Sequence, residues 1–172
     1  DRSRTLFQND RQPSEGLFPE FTFYDCHSCH RRIFDTGEPV RTGVNNPGRP
    51  IPEGMPPYND ENMIMLSAAA RAAAPALGQR FDARVRAFHL AMAQGRGAAS
   101  AAARDLAPTT GELRAVLAAS NFGGSSTGQL ARAIAGDAIR PRFTDYEGSV
   151  QAVMGIDTLL SAMVSNGDVP AG

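Results

Sequence analysis

Lysine is absent from this 172-residue chain, and all 17 of its basic residues are arginine. Tryptophan is absent too, and there are only two cysteines and three histidines. With a formal net charge of -1 there is no electrostatic case for binding nucleic acid or an anionic membrane. Two cysteines that lie three positions apart do not make a disulfide framework. No apolar run approaches the roughly 20 residues that span a bilayer. The longest candidate, residues 150–164, is broken by Gln151, Gly155, Asp157 and Thr158, so no transmembrane segment is expected. Alternating strand patterns of useful length are missing, as are internal repeats, a serine triad, a phosphate loop and a paired-carboxylate site. Arginine without lysine, beside so much alanine and glycine, fits a GC-rich codon bias. The same guanidinium fork also suits planar acidic partners.

What remains is a chain with 42% apolar residues, long enough for one domain with its own core. It opens Asp1-Arg2-Ser3-Arg4 with no Met and no apolar leader, the pattern expected of a processed chain or an excised fragment. Residues 1–18 are polar and aperiodic, and read as an extended arm. Residues 19–34 are richer in aromatics and can begin a short helix. Residues 35–58 hold half of the twelve prolines, interleaved with glycines. A loop of that length in a compact domain wraps something or acts as a lid.

From residue 59 onward the signal is helical. Asn59 is the expected N-cap of a first helix with Asp60 and Glu61 in its opening turn, stopped by Pro75. A second helix is predicted from Gln79 to Gln94, ending at Gly95. A short alanine-rich helix follows from Ala98 to Leu106. Thr109 with Glu112, Ser126 with Gln129, and Thr144 with Glu147 each match a capping box. These open helices running through Ser120, to Gly136 and to Val164, the last terminated by Asn166 and Gly167. The fold class is therefore all-α: an irregular bundle of four to six helices with a long Pro/Gly-rich loop ahead of it.

The two cysteines share one motif, Cys-His-Ser-Cys-His at positions 26 to 30. Two thiols on one turn can each bond a vinyl group of the same porphyrin, and the histidine directly after then meets the iron. A zinc site would want about four ligands, and no second cysteine pair exists. A thioredoxin-like redox motif would want a βαβ setting, which the pattern lacks. Attachment of one haem c through Cys26 and Cys29, with His30 as proximal ligand, is the expectation. The whole chain, 1–172, then reads as a single haem domain: an arm (1–18), a haem-binding segment and loop (19–58), and a helical bundle (59–172).

The surroundings of the motif resemble those of c-type cytochromes, and more narrowly a segment of periplasmic multihaem cytochromes. The elements that carry the resemblance are Phe23-Tyr24-Asp25-Cys26 through His30, then Gly48-Arg49-Pro50, then Pro56-Pro57-Tyr58-Asn59. They cover about residues 20–75, and the chain has one haem motif where that pattern has several. The resemblance implies export to a bacterial periplasm and, as partners, redox proteins such as other cytochromes or subunits of a larger complex.

A six-coordinate carrier needs a second axial ligand. His89 lies on an inward stripe with Phe81, Val85, Phe88 and Met92 at helical spacing. Its bland alternative is a core histidine bonded to backbone or to a carboxylate. Met55, in Gly54-Met55-Pro56-Pro57-Tyr58, is the rival ligand. Met63, Met65, Met92, Met154 and Met163 are expected in the core. His27 is expected to face solvent, or else a haem in another chain. Arg31 and Arg49 are candidates to clamp a propionate and Tyr58 to line the cofactor; Arg32 and Arg41 also flank the segment. The expected function is electron transfer by a low-spin mono-haem cytochrome rather than catalysis. The alternatives are a haem enzyme or gas sensor with an open distal site, served by Arg49, Glu53 or Tyr58, and a haem subunit of a larger redox or filament assembly.

Overall fold

The computed structural model describes Tyr24, Pro50 and residues 58–139 and 146–169. Helix makes up 83% of the described residues, in five helices, and no strand occurs among them. The all-α expectation holds. The helices are α1 (Glu61–Ala73), α2 (Pro75–Met92), α3 (Arg96–Ala119), α4 (Ser125–Ile139) and α5 (Tyr146–Ser165). The arm, most of the haem-binding segment and loop, and Thr144 lie outside the described residues.

Two boundaries differ from the sequence reading because proline has two roles in helices. Pro75 does not separate α1 from a later helix; it is the first-turn residue of α2. There its missing N–H costs nothing and its fixed φ suits the helix. The corner is Ala74 alone, at φ -147° and ψ 75°. So tight a corner brings α2 against the α1 backbone, and Gly78 makes room for it. A Cβ at Gly78 would lie 2.7 Å from the Arg71 nitrogen and 2.8 Å from the Ala70 carbonyl carbon. α2 ends at Met92, and Gly95, at φ +104°, turns the chain into α3.

Pro108 gives the second correction. The sequence suggests two helices around it, but α3 runs unbroken from Arg96 to Ala119 with Pro108 inside. Thr109 is buried in mid-helix rather than capping one, and the Thr110 hydroxyl donates to the Leu106 carbonyl at 3.1 Å. Tertiary packing overrides the local penalty: Leu106 and Leu113, on either side of Pro108, are both buried against α2 with Leu77, Phe81 and Val85.

α1 is the central element. α2 packs on one side of it and carries α3, while α4 and α5 pack on the other. Ile64 and Ala68 of α1 meet Ile134 of α4 and Ala152 of α5. Arg71 ties three helices together, donating from Nη1 to Asp82 of α2 at 2.5 Å and from Nη2 to Asp137 of α4. At the far end of α5, Gly167 has φ +74°, its N–H donates to the Val164 carbonyl, and that of Asp168 donates to the Met163 carbonyl. This Schellman closure is the terminator expected at Asn166 and Gly167.

The expectation for Met154 fails. It is 59% exposed, on the lip of an apolar groove of about 380 Å³ between α1, α4 and α5. Its helix has too few neighbours to cover every apolar position, and Val153 and Leu160 are exposed beside it. Among the described residues no helix is long and apolar enough to cross a membrane.

Candidate functional site

Because α1, α2 and α3 run antiparallel in turn, one end of the bundle gathers the start of α1, the end of α2 and the start of α3. Tyr58, Phe88, Met92, Ala99 and Ala103 form the buried cluster there. Phe88 is fully buried, and the Tyr58 ring stands edge-on to it at 5.1 Å. The small side chains of α3 let that helix approach closely. The result is a mostly apolar core cluster, with one buried polar pair beside it.

That pair is His89 and Asp60. The imidazole on α2 is 2% exposed and the carboxylate at the start of α1 is 0% exposed. Nε2 of His89 lies 2.6 Å from Oδ2 of Asp60. The oxygen sits off the direction in which the ring nitrogen can donate, so among the described residues Nε2 makes no directed hydrogen bond. Close approach of two polar groups, rather than a linear bond, holds the pair. Burial of a carboxylate without any such contact would be costly.

Asp60, not Asn59, occupies the N-cap position of α1. Its carbonyl accepts from the amides of Met63 and Ile64 at 2.7 and 3.1 Å. An N-cap aspartate ordinarily turns its carboxylate onto the second or third amide of the helix. Here the side chain makes no cap hydrogen bond and reaches across to His89 instead. Sequence reading placed Asp60 only as an acidic first-turn residue, because nothing local links it to a histidine on the next helix.

Among the described residues an isolated antiparallel β-bridge pairs Tyr24 with Tyr58. Bridged Cα atoms lie about 4.5–5.5 Å apart. Tyr58 in turn has its ring 6.0 Å from that of His89. The bridge thus ties Tyr24 to the end of the bundle that holds His89. Tyr24 is half-buried there, and loss of solvent pushes its phenol above the ordinary value of 10.0.

No family model, curated protein or solved structure matches this chain. The case for the site rests on its own residues.

Of the residues singled out from sequence, the structure brings Tyr58 and His89 together. Cys26, Cys29, His30, Arg31, Arg49 and Met55 lie outside the described residues. Among the described residues no group of three or more metal-ligating side chains occurs. A lone imidazole is what an axial haem ligand requires, since the porphyrin supplies the other donors in its plane. Nε2 of the buried His89 makes no directed hydrogen bond among the described residues, and the Asp60 carboxylate stands 2.6 Å from it. The groove between α1, α4 and α5 has no ionisable residue in its lining and offers no comparable chemistry.

Proposed function

We propose that this chain is a c-type cytochrome carrying one haem, bonded through Cys26 and Cys29, with His30 as proximal and His89 as distal ligand. It serves as an electron carrier between redox proteins in a periplasmic or otherwise exported setting. The observation that supports the reading is the one histidine outside the motif, buried with no directed hydrogen bond at Nε2 among the described residues, at the end of the bundle where Tyr58 pairs with Tyr24. A six-coordinate haem supplies reversible one-electron chemistry at its iron. The chain's own part is to hold and shield. His89 offers its ring from a rigid helix. Tyr58, Phe88 and Met92 keep water from that side, and Arg31 and Arg49 are the proposed partners of the propionates. Bis-histidine ligation gives a lower potential than a histidine–methionine pair.

The test is the absorption spectrum of the His89→Ala variant beside the parent, both matured in an export-competent host. Loss of the low-spin bands is expected. Unchanged low-spin bands would remove His89 from the iron and make Met55 the distal ligand.

A further inference from the structure

We propose that the outward face of α5 is a docking seam for one helix of a partner protein, a helix with an apolar stripe and a basic residue that meets Asp157. Neither the residues of this seam nor its test involves a haem. Val153, Asp157, Leu160 and Val164 recur at i, i+4, i+7 and i+11, the spacing that lines one stripe of a helix. Val153 is 66% exposed, Leu160 47% and Val164 39%, and Asp157 is exposed between them. Single apolar residues at a surface mean little, but three in one stripe of one helix form a patch that a partner can cover. The inward face of α5 is a different one, where Ala152, Ile156 and Leu159 pack with residues of α1 and α4. The stripe runs along a convex surface, whereas small ligands take concave sites, so its occupant is a macromolecule. Another helix fits it best, since alternating steps of four and three residues are those of a coiled-coil seam.

Charge decides the partner. The charged residues of α5 are Glu147 and Asp157, and the helix carries no basic residue. Asp157 forms no ion pair among the described residues. A polar residue at one position of an apolar seam sets register and partner. Two copies of α5 side by side in parallel would set Asp157 against its twin, a like-charge contact. Antiparallel copies would press it onto apolar residues and strip its water without giving it a partner. An arginine or lysine on a foreign helix avoids both costs. Residues 153–164 cover about 17 Å, three helical turns. A seam so short falls below the roughly 800 Å² per partner of a stable complex, so the docking is transient.

The probe is a fluorescein-labelled synthetic helical peptide with leucine at the seam positions and one arginine among them. Its twin carries glutamate in place of that arginine. Fluorescence anisotropy against the full chain reads both affinities. The parent is expected to bind the arginine peptide roughly tenfold or more tightly than the glutamate peptide, because opposite charges replace like ones. Asp157→Arg should invert that preference. Leu160→Gln should weaken both peptides by roughly tenfold, since it removes the central apolar contact. Both positions are exposed, so the variants should keep the parent's circular dichroism and melting temperature. Equal affinity of the two peptides for the parent overturns the proposal, as does binding of neither, or a preference that survives Asp157→Arg. A parent that sediments as a dimer, and is returned to a monomer by Leu160→Gln, overturns it as well, because the occupant is then a second copy.

Discussion

Gly78→Ala is the substitution whose cost the structure fixes most directly. The added methyl would sit 2.7, 2.8 and 2.9 Å from the Arg71 nitrogen, the Ala70 carbonyl carbon and the Arg71 Cα. All three are backbone atoms of α1, so no side chain can swing aside. The helices must part at the point where Ala74 alone joins them. Overpacking of this kind costs about 1–3 kcal/mol, and backbone contact puts Gly78 at the upper end. Alanine recovers about 1 kcal/mol of helix propensity. The net destabilisation is about 2 kcal/mol, a fall in melting temperature of roughly 4–8 °C for a chain of this size. Gly111, exposed on α3, is the control, since a Cβ there meets nothing within 4 Å. Gly111→Ala should stabilise by up to about 1 kcal/mol. Thermal and urea melts followed by circular dichroism at the helix band read both. A Gly78→Ala protein as stable as Gly111→Ala would refute the close approach of α1 and α2.

Other outcomes follow from the same packing. Arg71→Ala removes a partly buried fork that spans α1, α2 and α4, and should cost about 1–3 kcal/mol. Arg71→Lys should recover only part of this, because one ammonium cannot hold both carboxylates in fork geometry. Arg80→Ala, which breaks only an exposed pair with Glu112, should stay within about 1 kcal/mol in a urea melt. Pro108→Ala returns an N–H to an exposed position inside α3 and should stabilise by about 1–3 kcal/mol. Tyr24 gives a pH dependence. Its folded phenol titrates above the unfolded value of 10.0 because burial favours the neutral form. Its contribution is therefore complete below pH 10.0 and is lost as pH rises through that value toward the folded one. Stability curves of Tyr24→Phe should be flatter than the parent's across that window.

Much of the helical order was legible because its signals are local. The apolar spacing of Phe81, Val85, Phe88 and Met92 placed His89 on an inward stripe, and His89 is buried. Gly95 and Gly167 turn the chain where the sequence puts breaks. Pro75 and Pro108 were misread because proline's effect depends on where it falls within a helix and on what packs around it. Asp60 was read as a first-turn charge because its partner lies on another helix. Its side chain leaves the local capping role for a long-range contact. Met154 was assigned to the core on residue type alone, which carries no information about how many neighbours α5 has. The bridge between Tyr24 and Tyr58 has no sequence signature at all. It joins single residues across the proline-rich stretch.

The central claim is the thioether-linked porphyrin, and intact-mass measurement on protein matured in an export-competent host reads it most directly. The expected result is the polypeptide plus one haem, with the added mass mapping to the peptide that contains Cys26 and Cys29. The bare polypeptide mass, with both thiols free to alkylate, would contradict the account.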